Sequence, residues 1–136
     1  MKIKKRILLV DDDADDQLYF LDAISEISPD LECRVANNGA EALMEVQVPP
    51  PFDVIFLDLN MPIMNGFECL SNLKLQDNYK DIPVVIFTTS KNSQDIQRTK
   101  DLGASLFFTK PTSFSMLCSK LKKIFDVDLP SPVYVL

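Results

Sequence analysis

The sequence predicts an α/β protein, a parallel sheet of five strands with helices on both faces. Three observations predict it. Short apolar runs end at Val10, Val35, Leu57, Phe87 and Thr109, and a helix with an apolar stripe follows each. Two of the runs, Val54-Ile55-Phe56-Leu57 and Val84-Val85-Ile86-Phe87, are apolar throughout, as strands covered on both faces must be. Strand–helix alternation of this kind closes through right-handed crossovers, which make the strands parallel. With 136 residues, 46% hydrophobic and 25% charged, the chain can bury one core in one domain.

The elements follow in order. Ile7 to Val10 forms the first strand and runs into Asp11-Asp12-Asp13-Ala14-Asp15-Asp16. The later acids of that run sit where a first helical turn starts, favourably placed toward the helix dipole. Leu18, Leu21, Ile24 and Ile27 recur at helical spacing until Ser28-Pro29. Leu31 to Val35 alternates apolar with charged, the pattern of a half-exposed edge strand. Asn38-Gly39 opens a helix carrying Ala42, Leu43 and Val46, which Pro49-Pro50-Pro51 ends. After the Val54 strand, Asn65-Gly66 turns the chain into the stripe Phe67, Leu70, Leu73. Pro83 precedes the Val84 strand, and Thr88-Thr89-Ser90 follows it. Ser93 to Leu102 has only Ile96 and Leu102 as strong apolar anchors and should be the most weakly packed helix. Gly103 caps it, Leu106-Phe107-Phe108 is the last strand, and Phe114, Leu117, Leu121 and Ile124 mark the last helix. The domain therefore covers residues 1–125, and residues 126–136 form a short tail that leaves no room for an output domain. The last four residues, Val133 to Leu136, read as a short strand that should dock on its own domain or on a neighbouring copy.

Composition excludes several functions. The chain has no histidine, so Ser-His-Asp and Cys-His triads and histidine zinc sites are excluded. A net charge of −6 removes the electrostatic footprint of direct nucleic-acid binding. No apolar run approaches a membrane span, and none stands at the start as a signal peptide would. Cys33, Cys69 and Cys118 have neither metal-ligand nor redox spacing, which suits reduced, structural thiols in the cytoplasm.

Asp58 follows the buried Val54 strand directly, at the carboxyl edge where open α/β sheets place their chemistry. Projecting the other strand ends onto that edge brings Asp11, Asp12, Thr88 and Lys110 to it. Crowded carboxylates do not all ionise cheaply unless a cation joins them. Hard oxygen donors without histidine or cysteine suit Mg²⁺. A hydroxyl and an ammonium opposite the metal would cradle a phosphoryl group, leaving one carboxylate as nucleophile. Asp13, Asp15 and Asp16 read as a solvated helix entrance. The same run contains D-x-D-x-D, but Asp16 stands where a calcium loop needs glycine, and a strand precedes it rather than a helix.

Val10-Asp11-Asp12, Asp58-Leu59-Asn60-Met61-Pro62-Ile63-Met64-Asn65-Gly66, Thr88 after Phe87, and Gly103-Ala104 followed by Lys110-Pro111 occur here in one order. In these pieces the chain resembles, from Arg6 to about Phe125, the receiver domains of two-component response regulators, those of the single-domain chemotaxis type. The resemblance implies a flavodoxin-like (βα)5 doubly wound sheet of strand order 2-1-3-4-5, with the alternating strand at an edge. It implies that Asp58 accepts phosphate from a histidine kinase or histidine phosphotransfer protein. Mg²⁺ would be held by Asp12, Asp58 and the Asn60 backbone carbonyl, with Asp11 acting partly through water. Thr88 and Lys110 would contact the phosphoryl oxygens, Phe107 would take the place of the switch aromatic, and Lys110–Pro111 would be cis. A downstream protein, not nucleic acid or membrane, would read the surface made by the Ser93 helix, the Phe107 strand and the Phe114 helix, and the chain would be a monomer or weak dimer. Phe107 replaces the frequent tyrosine and lacks its hydroxyl, and Thr89, where a smaller residue is common, narrows access to Asp58. Three other functions compete with this one. A receiver-like interaction module without phosphorylation is disfavoured because Asp12, Asp58, Thr88 and Lys110 are all present. An aspartate-nucleophile phosphatase, which would make the chain an enzyme, needs an acid where Asn60 stands. A flavodoxin-like cofactor binder needs a phosphate loop that does not follow Val10.

Overall fold

A computed structural model describes residues 6–126, 129 and 133–136. The expectations for residues 1–5 and for Pro130-Ser131-Pro132 lie outside the described residues. The first half contains β1 (Arg6–Val10), α1 (Ala14–Ile27), β2 (Glu32–Ala36), α2 (Gly39–Glu45) and β3 (Val54–Leu57). The second half contains α3 (Gly66–Leu75), β4 (Val84–Thr88), α4 (Ser93–Asp101), β5 (Leu106–Thr109) and α5 (Phe114–Asp126). The strands form one parallel sheet in the order β2-β1-β3-β4-β5. This is the order expected, and β2 is an edge strand with the alternating exposure its sequence required. β2 and β4 each run one residue further than the apolar pattern indicated, to Ala36 and Thr88.

Alternate side chains of the central strands feed two cores, one on each face. Leu8, Val10, Ile55, Leu57, Val84 and Ile86 pack with α2 and α3 residues such as Ala42, Cys69, Leu70 and Leu73. Ile7, Leu9, Val54, Phe56, Val85 and Phe87 pack with Phe20 and Ile24 of α1 and Leu117, Leu121 and Ile124 of α5. Phe56 lies 5.0 Å from the Phe20 ring, and Phe87 lies 5.1 Å from the Phe108 ring, so aromatic contacts tie α1 to three adjacent strands. Capping agrees with the sequence. Asp13, Asn38, Asn65 and Asn92 cap α1 to α4 with their side chains, and Asn65 forms a capping box with Glu68. Gly103 takes φ +102°, a conformation that a side chain would strain, and it ends α4 there. Only Thr99 of α4 is buried, as expected of the least anchored helix. Burial pushes the Cys33 and Cys69 thiols up to about 12, which keeps both inert at neutral pH.

β5 is the other edge of the sheet, and the tail covers it. Val135 bridges Phe107 in parallel, with Phe107 N–H donating to Tyr134 O (2.7 Å) and Leu136 N–H donating to Phe107 O (2.8 Å). The tail thus satisfies both outward-facing backbone groups of Phe107 at the middle of this edge. Tyr134 packs its ring 6.4 Å from Phe107, and its hydroxyl lies 2.7 Å from Thr99 Oγ1. The Thr99 hydroxyl gives its hydrogen to the Asp95 carbonyl (2.9 Å), shared with that of Ile96 (3.1 Å), so Tyr134 is the donor between the two. Deleting residues 133–136 removes both backbone bonds and uncovers the Phe107 edge. It should lower stability by about 2 kcal/mol, at roughly 1 kcal/mol per hydrogen bond. Thermal unfolding of the shortened chain checks this, and an unchanged melting temperature would show that the tail is not docked.

Candidate functional site

Three site residues stand one position beyond a strand and remain tied to the neighbouring strand. Asp11 N–H donates to Ala36 O (3.0 Å), Asp58 N–H to Val10 O (2.9 Å) and Lys110 N–H to Thr88 O (2.7 Å). The sheet ladder therefore continues for one residue past its apolar part and fixes these backbones at the carboxyl edge. Asp11 is fully buried, Asp58 is 7% exposed, and Asp12 is exposed. Asp11, Asp12 and Asp58 each offer an oxygen within 4.8 Å of the others. One Asp58 oxygen, Oδ1, accepts from Leu59 N–H at 2.8 Å. The other, Oδ2, faces Lys110 Nζ at 3.5 Å. Lys110 Nζ is closer to Asp11 Oδ2 (2.7 Å) and to Asp16 Oδ2 (2.8 Å).

Burial holds the Asp11 carboxyl above its ordinary range; its hydrogen bonds from Lys110 and Asp13 pull it down, and the charge of Asp58 adds only a minor push upward. Like-charge repulsion is thus the smallest of these causes, not the leading one that crowding alone would suggest. Burial also works against the Lys110 ammonium, but the bonds to Asp11 and Asp16 and the charges of Asp58 and Asp11 win, so its pKa is raised. The signs follow from proton linkage. Asp11 favours folding below about pH 3.9, and that contribution is lost as pH rises through its folded-state value. The Lys110 contribution is full below about pH 10.4 and disappears only as pH climbs through its own raised value. At neutral pH the lysine offsets part of what the buried acid costs.

Residues 7–122 match the family model described as the response regulator receiver domain. The chain belongs to that family. Response regulator Rcp1 of Synechocystis sp. is 30% identical over 126 residues, which are 88% of this chain and 86% of that protein. A structure described as the Mn(2+)-bound form of Rcp1 superposes with a TM-score of 0.82 at 30% identity, covering 93% of this chain and 99% of that one. The phosphorylated cyanobacterial phytochrome response regulator RcpA gives a TM-score of 0.84 at 31% identity, covering 94% of this chain and 99% of that one. A probable cyclic di-GMP phosphodiesterase of Vibrio cholerae is 31% identical over 115 residues, 85% of this chain but 25% of that protein. This chain spans only a quarter of the phosphodiesterase. Receiver domains are the phosphoacceptor modules of two-component signalling, and their acidic cluster suits a divalent cation. Among the described residues, no helix is long and apolar enough to cross a membrane.

The receiver fold brings Asp11, Asp12, Asp58 and Lys110 together as the sequence predicted. Thr88 is fully buried at the end of β4, and its Oγ1 accepts from Ser90 N–H at 3.4 Å. Asn60 is exposed two residues beyond Asp58, and Thr89 is exposed beside Thr88. Phe107 is fully buried against Tyr134. Two expectations need correction. Pro49–Pro50 is the cis peptide bond among the described residues, and Lys110–Pro111 is not cis. No such bend is required, because the long lysine side chain reaches Asp11 from the end of β5. Asp16 is not merely solvated at the helix entrance, since it binds Lys110 directly. The signal for it in the sequence is an acid in the first turn of the helix that follows a site strand, in a chain with a strand-end lysine.

Gly66 matters for close approach. A Cβ there would strike the Asp58 carbonyl oxygen and come within 2.7 Å of Leu59 Cα, and both atoms belong to backbone. Gly66→Ala should therefore destabilise the domain by about 3 kcal/mol, through an overpacked contact that cannot relax without moving Asp58. Chemical denaturation measures it. A loss below half of that would mean that the loop behind Asp58 yields freely.

Proposed function

We propose that Asp58 is the phosphoacceptor of this receiver, taking a phosphoryl group from a phosphohistidine on a histidine kinase or phosphotransfer protein. One observation carries this reading. Asp58 is the strand-end carboxylate that both belongs to the acidic cluster and faces the lysine through Oδ2, while Oδ1 accepts from Leu59 N–H. Oδ2 attacks phosphorus, the phosphorus–nitrogen bond of the donor breaks, and its electrons stay on the imidazole. Lys110 and Thr88, fixed at the ends of β5 and β4, would bind the oxygens of the arriving group.

The donor set fits a hard divalent cation: a group made of carboxylates alone, without histidine or cysteine, and more negative charge than one lysine balances. We assign Mg²⁺ to Asp12, Asp58 and the Asn60 carbonyl, with Asp11 acting through water. When bound, the cation would neutralise phosphoryl charge. Supporting a divalent ion, Rcp1 has been obtained with Mn²⁺. Readout then falls to α4, β5 and α5, where α4 is the helix with least burial, and a protein partner would recognise that surface. A phosphatase is less well supported, since the Asn60 amide is far too weak an acid to protonate a leaving group.

Incubation with a small acyl phosphate and Mg²⁺ should add one phosphoryl group by intact mass, and peptide mapping should place it on Asp58. Asp58→Asn should abolish the gain. Label on Asp11, Asp12 or Ser90, or none on the wild type, would overturn the assignment.

The cation should also appear in stability. Mg²⁺ binds only the assembled cluster, so the wild-type melting temperature should rise with its concentration. Asp58→Asn relieves charge while keeping an acceptor for Leu59 N–H. In metal-free buffer at pH 7 it should melt about 2–4 °C higher than wild type, and it should gain less from Mg²⁺. An equal gain in both proteins would remove Asp58 from the cation site.

A further inference from the structure

Asp16 lies outside the acidic cluster yet holds the lysine of the site. Its backbone is fixed, because its N–H donates to the Asp13 cap at 3.0 Å in the first turn of α1. Its side chain is 42% exposed, whereas that of Asp11, the other short partner of Lys110, is fully buried. Asp16 and Lys110 also line a cavity of about 370 Å³ with Tyr19, Phe87 and Thr112. The carboxylate can therefore leave the lysine for water without any movement of the backbone.

Lys110 does not need Asp16 to reach the site. Its N–H is fastened to Thr88 O, its side chain is only 10% exposed, its Nζ lies 5.4 Å from the Phe87 ring, and Asp11 holds it from the buried side. Asp16 adds competition. An ammonium has three hydrogens, and the two short bonds to Asp11 and Asp16 hold it at 3.5 Å from Asp58, beyond good hydrogen-bond length. A phosphoryl group on Asp58 would bring oxygens that seek the same ammonium.

We infer that Asp16 is a positioning residue that parks Lys110 off Asp58 and so slows phosphorylation, acting as a brake that the arriving phosphoryl oxygens must release. The inference rests on the phosphoacceptor reading of Asp58. Asp16 makes and breaks no covalent bond. Its influence passes through the lysine, and its half-exposed ion pair sets a modest scale for the effect.

The test is the rate of mass gain with a small acyl phosphate and Mg²⁺ for wild type, Asp16→Asn, Asp16→Glu, Lys110→Ala and the Asp16→Asn/Lys110→Ala double variant. Asp16→Asn keeps the shape and the backbone bond to Asp13 but removes the charge, and it should react about two- to five-fold faster than wild type. Asp16→Glu restores a carboxylate beside a cavity with room for one more methylene, and it should return the rate to the wild-type value. Without Lys110, Asp16→Asn should change nothing. A rate for Asp16→Asn equal to or below wild type overturns the inference. So does the same acceleration in the Lys110→Ala background, which would mean that the charge acts on the donor itself. A wild type that takes no phosphoryl group fails at an earlier step and overturns the reading of Asp58, and the brake with it.

Discussion

The site depends on one ammonium at the crowded end of a parallel sheet. Parallel strands in this order bring Asp11 and Asp58 to the same edge, and their backbone bonds to Ala36 and Val10 prevent them from spreading. Removing such acids from water without a counter-charge would be costly. Lys110, arriving from β5, supplies that charge and is itself covered to 10% exposure. Burial is the largest single influence on both groups. It prevails at the Asp11 carboxyl, whereas at the lysine the bonds to Asp11 and Asp16 and the charges of Asp58 and Asp11 together outweigh it. The site is therefore under tension at neutral pH and ready to bind a cation that the unfolded chain cannot hold.

The rest of the fold makes that tension sustainable. The central strands are buried on both faces, so the strand ends inherit the rigidity of two cores. Behind Asp58 the chain leaves no slack, because Gly66 abuts the Asp58 backbone and Gly66 N–H bonds Leu59 O at 3.0 Å. Ile63 in the same loop is exposed and takes φ +68°, an unfavourable conformation for a β-branched residue. Local strain of this kind persists where surrounding contacts dictate the loop path, here the loop that leads away from Asp58.

Much of this was legible in the sequence, for identifiable reasons. Apolar runs fixed β3 and β4 as central strands, and the alternation of Leu31 to Val35 put β2 at an edge, because burial has a direct pattern in sequence. Asp11, Asp12, Asp58 and Lys110 could be placed because each follows a strand, and parallel topology sends all strand ends one way. Asp16 was missed because it lies on a helix, where an acid in the first turn is already explained by capping and dipole effects. Its partner is 94 residues away in sequence, and the packing of α1 against α5 brings them together. The peptide bond before Pro111 failed for a different reason. The bend was inferred from a need to aim Lys110, but a side chain of four methylenes meets that need by itself.

Phe107 shows how the two ends of the molecule are joined. Its sequence leaves two roles open, core residue or switch, and its complete burial satisfies the first. Yet its backbone N–H and C=O are both taken by the tail, and its register partner in β4 is Ile86, two residues before Thr88. Lys110 follows three residues later, one position beyond the end of the same strand. β5 therefore carries the ammonium of the site and the docking edge of the tail in one rigid element. Tyr134, packed on Phe107, hydrogen-bonds through its hydroxyl with Thr99 of α4, the helix with the fewest buried residues. A displacement of β5 at its carboxyl end would have to be accommodated in these contacts, because a packed strand transmits small shifts to its neighbours instead of absorbing them.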